Sequence, residues 1–229
     1  MTLKNESHRQ LESRKKVKNI LSAIQSGILY GITDTHFGWT THLECAQALI
    51  EAGVQLVQYR GKELEIEQQR RELQVLVPWA RARGSWVIVN DLVALAIEVG
   101  ADGVHLGQTD QEPQLVREQV GPDMLIGLST HKIDQVKAAE QAQVDYIGVG
   151  PAYPTQTKPD EPAAGLGFLN EAAKISELPQ VAIGGITEDR LAEVIATGQN
   201  SVAVISDLLS APFLAEKVSR LKAILELSV

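Results

Sequence analysis

The sequence predicts an α/β fold, a (β/α)8 TIM barrel behind an N-terminal helical extension, and three observations carry that reading. Short apolar, β-branched runs alternate eight times with longer segments of helical period, which specifies a parallel sheet. The runs are apolar almost throughout, as strands buried on both faces are. Several helical segments stop at a glycine just before the next run, at Gly53, Gly84, Gly100 and Gly198, the expected left-handed stop. The count and length suit a closed barrel better than an open doubly wound sheet, which usually ends at about five or six strands.

The elements follow in order. Residues 1–26 form an extension rich in Lys, Arg, Glu and Gln, in which Leu11, Val17, Ile20, Leu21 and Ile24 fall roughly at helical spacing. Part of it is expected to be an amphipathic helix packed on the body. The run Arg14-Lys15-Lys16 reads as a solvated helix face rather than a nucleic-acid or membrane contact. Residues 27–229 form the barrel domain. Strands are expected at 28–33, 55–59, 86–89, 103–106, 125–128, 146–149, 181–183 and 201–205. Helices are expected at 41–52, 65–83, 92–100, 113–120, 133–141, 166–176, 188–197 and about 215–227. Thr187, ahead of Glu188-Asp189-Arg190, is the expected N-cap of its helix.

Composition narrows the function classes. Of the 229 residues, 44% are hydrophobic and 22% charged, the balance of an ordinary soluble domain. The single cysteine, Cys45, has no internal partner, and a reducing, cytoplasmic setting is expected. No run approaches the ~18–20 apolar residues of a membrane span, and the N-terminus lacks the apolar core of a secretory signal. The formal net charge of −8 argues against a general nucleic-acid binder. The expected partners are small molecules, with no nucleic acid and no membrane, and a homo-oligomer stays open. An anionic ligand would need a local cluster of cations, so the basic residues at strand ends matter most.

In a barrel every strand's carboxyl end opens onto one face, where active sites are built. Read in order, those ends are Thr33-Asp34, Gln58-Tyr-Arg60-Gly-Lys62, Asn90-Asp91, His105 to Asp110, Ser129-Thr-His131, the loop after 149, Gly184-Gly185 and Ser206-Asp207. Two anion sites can be argued from them. Across strands 7 and 8, Gly184-Gly185 lets backbone N–H groups approach a phosphate, and Ser206 opens a short segment that reads as an extra half-helix. A plain turn is the alternative for the glycine pair. The second site gathers Arg60, Lys62 and Lys158 beside Asn90, Asp91 and Asp110. A lone Asp after a strand is more often a turn former or cap, but two on neighbouring strands beside a basic pair suit Mg²⁺. That ion is held by one or two carboxylates plus substrate phosphate oxygens and water.

The stretch from Asp145 to Asp160 joins these sites. Tyr146, Ile147 and Val149 make a strand, Pro151 and Pro154 end it, and Thr155-Gln156-Thr157-Lys158 follows as a polar loop. No nucleophile–base–orienter arrangement is evident: Cys45 lies in a predicted helix, and Ser129-Thr130-His131 has no acidic orienter nearby in sequence. His105, between Val104 and Leu106, reads as a satisfied core histidine.

The strand-end series resembles that of the thiamine phosphate synthase family, over nearly everything from Tyr30 to Leu209. The specific pieces are Asn90-Asp91, Gly103-Val-His-Leu-Gly-Gln-Thr-Asp110, Ile126-Gly-Leu-Ser-Thr-His131, Gly148-Val-Gly-Pro-Ala-Tyr-Pro-Thr-Gln-Thr-Lys158 and Ala182-Ile-Gly-Gly-Ile186. The resemblance implies that a pyrimidine diphosphate loses pyrophosphate with Mg²⁺ help and that a thiazole phosphate captures the activated methylene. By matched position it implies that Arg60, Lys62, Ser129 and Lys158 hold the diphosphate and act in catalysis, and that Asp91 and Asp110 ligate Mg²⁺. Gln58 and Asn90 would belong to the pyrimidine pocket, and Thr155, Thr157, Gly185, Ile205 and Ser206 would surround the thiazole phosphate.

One departure stands out. The family commonly reads Val-Gln-Leu-Arg-Glu-Lys at strand 2, whereas this chain has Val57-Gln-Tyr-Arg-Gly-Lys62. Both cations stay, but Gly61 loses a carboxylate, which puts the local loop in question. The competing readings are a thiazole tautomerase on the same barrel, which would not need Asp91, Asp110 and Arg60 together, and a non-catalytic sensor of thiamine phosphate.

Overall fold

A computed structural model describes residues 2–155 and 162–227, with side chains described from Arg14 onward. Within them, eight parallel strands close in sequence order, β1 pairing with β8. The strands are β1 (Leu29–Ile32), β2 (Leu56–Tyr59), β3 (Trp86–Asn90), β4 (Gly103–Leu106), β5 (Leu125–Thr130), β6 (Tyr146–Val149), β7 (Gln180–Ala182) and β8 (Ser201–Val204). Around them run α2 (His42–Glu51), α3 (Ile66–Arg81), α4 (Val93–Val99), α5 (Pro113–Val120), α6 (Ile133–Ala139), α7 (Gly165–Ile175) and α8 (Glu188–Ile195). A short α9 (Ser206–Leu209) follows β8, as the half-helix reading expects, and α10 (Leu214–Glu226) completes the ring. The glycines at 53, 84, 100 and 198 all have positive φ, between 64° and 100°, as left-handed helix stops require.

Period-two alternation separates two cores. Outward residues such as Val57, Val89, Val104, Ile147 and Val202 pack against the helices. Inward residues Tyr30, Leu56, Ile88, Leu125, Tyr146, Val181 and Ala203 fill the barrel.

The extension is more than expected. It forms one helix, α1 (Thr2–Ser26), because the segment contains no glycine or proline to interrupt it. Ile20 and Ile24 are buried at 0% and 1% exposure within the inner barrel core, so α1 stops the amino-terminal end of the barrel. Backbone-level ties fix it there: Ser201 Oγ donates to Ile24 O at 2.6 Å and accepts from Ile28 N at 2.8 Å. Part of the basic run is not a solvated face. Lys16 reaches the buried Asp102 at 2.8 Å, and Arg14 faces Asp123 at 3.8 Å. The plug closes the floor beneath the inward-facing side chains, and the described mouth lies at the other end. Among the described residues no helix is long and apolar enough to cross a membrane.

Candidate active site

The mouth divides into two adjoining cavities. One is lined by Lys62, Asp91, Gly107, Gln108, Thr109, Asp110 and His131. The other is lined by Tyr30, Gln58, Thr155, Gly184, Gly185, Ile205 and Ser206, among others. Arg60, Asn90, His105 and Ser129 line both. Every site residue expected from the sequence lies on one of these walls except Thr157 and Lys158, which fall outside the described residues.

The charged cavity is built from strand ends and tight turns. Asn90 ends β3 facing inward, and Asp91 follows with φ of 60°, a left-handed turn that Asp tolerates better than most residues. Its N–H donates to His105 O at 2.9 Å, and its Oδ2 pairs with Lys62 Nζ at 2.7 Å. Asp110 Oδ2 accepts from Gly107 N at 2.7 Å and so closes the loop after β4. Each carboxylate thus commits one oxygen to a protein partner, and a carboxylate retains further lone pairs for a cation.

Strand 2's departure is compensated nearby. A Cβ at Gly61 would stand 3.2 Å from Leu64 Cδ1 and 3.3 Å from Tyr59 Cε1, so a side chain there needs both neighbours to give slightly. Tyr59 OH donates to Glu72 Oε2 at 3.0 Å. Another carboxylate, Glu63, contacts His42 Nε2 at 2.5 Å and accepts from Thr35 Oγ1 at 3.1 Å. His42 Nδ1 lies 2.8 Å from Thr33 Oγ1, which accepts from Arg60 N at 3.0 Å. The loop carrying Arg60 and Glu63 is therefore held at both residues, by Thr33 and His42.

The second cavity relies on backbone. Gly184 and Gly185 have φ of 87° and 63°. A Cβ on Gly184 would lie 2.3 Å from Pro151 Cβ, and one on Gly185 would lie 2.6 Å from Pro154 O. The close neighbour of these glycines is therefore the loop after β6, which continues the pairing: Ala152 N donates to Ile183 O at 2.8 Å and Tyr153 N to Gly184 O at 3.1 Å. Arg190 ties that loop down from above, its guanidinium 4.5 Å from the Tyr153 ring centroid and its Nη1 donating to Gly185 O at 2.9 Å. Thr187 has extended backbone but makes no side-chain cap. Instead Asp207 Oδ2 accepts from Glu188 N at 2.9 Å and pairs with Lys217 at 2.7 Å, so the first turns of α8 and α9 are pinned together.

Three further residues went unassigned in the sequence reading. His131 does have an orienter, a backbone one: its Nδ1 sits 2.7 Å from Gly150 O, which makes Nδ1 the protonated nitrogen. Gln108 Nε2 donates to Ser129 O at 2.7 Å. His105 is satisfied, as expected for a core histidine, yet it lines both cavities. The backbone partners of His131 and Ser129 leave no sequence signal, since any residue supplies a carbonyl. Cys45 is buried, and burial pushes its thiol up to about 12, so it is no thiolate nucleophile.

The family model described as thiamine monophosphate synthase matches residues 29–208, from β1 into α9. A thiamine-phosphate synthase of Pelotomaculum thermopropionicum is 43% identical over 208 residues, covering 90% of this chain and 95% of that protein. One from Persephonella marina is 42% identical over 182 residues, covering 80% and 87%. The thiamine phosphate pyrophosphorylase structure from Pyrococcus furiosus superposes with a TM-score of 0.82 at 30% identity, covering 90% of this chain and 98% of that one. The match runs through all eight strands that build the mouth, and the chain belongs to the thiamine monophosphate synthase family.

Proposed function

We infer that the protein is a transferase of thiamine biosynthesis that joins 4-amino-5-hydroxymethyl-2-methylpyrimidine diphosphate to 4-methyl-5-(2-hydroxyethyl)thiazole phosphate. The products are thiamine phosphate and pyrophosphate. The observation that carries this reading is the pair of cavities sharing one wall of Arg60, Asn90, His105 and Ser129, which suits two phosphorylated substrates meeting at one reacting carbon. The diphosphate belongs on the charged side, with Arg60 and Lys62 and, by the matched motif, with Lys158. Gln58 and Asn90 belong with the pyrimidine. The thiazole phosphate belongs with Thr155, Thr157, Gly185, Ile205 and Ser206, where backbone N–H groups at the start of a short helix bind an anion without needing a cation.

The donor set fits Mg²⁺. Among the described residues no three metal-ligating side chains group together, so there is no all-protein cage. Asp91 and Asp110 on one wall, with diphosphate oxygens completing the shell, match the way that ion is usually held. When bound, Mg²⁺ would neutralise charge on the diphosphate. The chain's own part is to take up leaving-group charge through Arg60, Lys62 and Lys158 and to keep water from the methylene with the apolar wall of Ile32, Ile183 and Ala203. The methylene C–O bond breaks with its electron pair on the diphosphate, and the thiazole nitrogen lone pair forms the new C–N bond. Approach of the two rings in one pocket supplies the orientation. A cytoplasmic setting agrees with the free, buried Cys45.

The test is pyrophosphate release by the purified protein. Release is expected only with both substrates and Mg²⁺ present. No release with all three overturns the reaction, and full-rate release in chelator overturns the metal's part alone.

A further inference from the structure

The barrel floor holds a hydrogen-bonded chain that is unusual for an otherwise apolar core. Gln58 Nε2 donates to Tyr30 OH at 3.1 Å, Tyr30 OH lies 3.2 Å from Tyr146 OH, and Tyr146 OH lies 3.0 Å from His105 Nδ1. His105 Nε2 lies 2.9 Å from Ser129 Oγ. All five side chains are buried, none more than 8% exposed. The sequence keeps room for this chain: a Cβ at Gly127 would stand 2.2 Å from Tyr146 Cζ and 2.5 Å from His105 Nδ1.

Counting protons gives the chain a direction. Burial raises both the Tyr30 and the Tyr146 phenol well above the ordinary tyrosine range, so each keeps its single proton. Tyr30 accepts from Gln58, and the only other described side-chain hydrogen bond it makes is to Tyr146. Its proton therefore goes to Tyr146, and that of Tyr146 to His105 Nδ1. An accepting Nδ1 leaves the ring proton on Nε2, which donates to Ser129 Oγ. Ser129, already accepting, turns its one proton toward the shared wall of the two cavities. The reverse order would give Tyr30 two donors and leave its own proton without an acceptor at a fully buried position, which is costly.

We propose that Tyr146 and His105 are positioning residues for the transfer reaction, and that the chain from Gln58 fixes His105 in the Nε2–H tautomer so that Ser129 serves only as a hydrogen-bond donor to the leaving diphosphate. This rests on the pyrimidine diphosphate reading of the site. Diphosphate oxygens only accept, so a serine that spent its proton on His105 would oppose them lone pair to lone pair. Chain polarisation in a low-dielectric floor strengthens the last donor. The arrangement also links the two ends of the proposed substrate, with Gln58 beside its ring and Ser129 beside its leaving group.

Two measurements test it. In two-bond proton–nitrogen correlation spectra of the ligand-free protein, His105, one of five histidines and identified by its loss in His105→Asn, is expected to carry its proton on Nε2. A proton on Nδ1 overturns the proposal whatever the reaction proves to be. In steady-state kinetics, Tyr146→Phe is expected to lower kcat roughly tenfold, the upper end for one hydrogen bond, with the KM of both substrates within about twofold. That loss is expected to vanish in a Ser129→Ala background, because the chain acts only through Ser129. Losses that simply multiply in the double variant overturn it.

Discussion

On one side of the mouth, β2, β3 and β4 deliver Arg60, Lys62, Asp91 and Asp110 on side chains that reach into open space. On the other, β7 and β8 deliver Gly184, Gly185 and the first turn of α9, with Ser206 as a short polar side chain. The first half is held by charge pairing, such as Lys62 with Asp91 at 2.7 Å. The second is held by close backbone packing, with the loop after β6 seated on the two glycines. A site built from charge should respond to neutralisation, and one built from backbone should respond to added volume.

The largest effect is expected on the charged side. Asp91→Ala or Asp110→Ala should cut kcat by a factor of roughly 10² or more, if each supports leaving-group charge through Mg²⁺. Titrating the metal in each variant should show weakened activation. The two differ in one respect: Asp91→Ala also strips Lys62 of its ion pair, so its diphosphate KM should move more than that of Asp110→Ala. Near-wild-type kcat in both variants would remove the carboxylates from the reaction and the charged half from the comparison.

Next in size is a volume change on the backbone side. Gly184→Ala combines a φ of 87° with a Cβ placed 2.3 Å from Pro151 Cβ, so the β6 loop must shift. We expect a loss of about 1–3 kcal/mol in unfolding free energy, the usual size of such strain. We also expect a several-fold higher KM for the thiazole phosphate, with that for the pyrimidine diphosphate little changed. Equal changes in both KM values would mean that the two halves move as one body.

The same contrast explains what the sequence revealed. The charged half was legible because Arg60, Lys62, Asp91 and Asp110 are conspicuous after apolar strands, and barrel geometry brings strand ends together. Short, nearly continuous apolar runs likewise exposed the strands, and the four helix-stop glycines fell where left-handed backbone was needed. The backbone half was legible as glycines but not as packing: the loop seated on Gly184 and Gly185 is contact between residues about thirty positions apart, which no local pattern encodes. Asp207 took over the cap expected of Thr187 because α8 and α9 start side by side. Tyr30 and Tyr146 read only as strand residues and His105 as core, since an apolar strand context reports burial and not which hydroxyl meets which nitrogen. Gly61 looked like a lost carboxylate, and only the fold brings Thr33 and His42 to the loop that carries both Arg60 and Glu63.

The smallest effect should come from Ser206→Ala, and it asks the sharpest question of the backbone half. If phosphate there is held chiefly by N–H groups at the start of α9, one hydroxyl adds only its own hydrogen bond. Removing it should raise the thiazole phosphate KM by about 2- to 12-fold, equivalent to roughly 0.5–1.5 kcal/mol, with kcat and the diphosphate KM unchanged. The backbone is spared, because Ser206 O keeps accepting from Ser210 N at 3.0 Å and alanine forms helix readily. A much larger rise would mean that the side chain, not the backbone, carries the phosphate, and the two halves of the mouth would then be alike. An unchanged KM would take Ser206 out of the site and leave the anion to Gly185 and the β6 loop.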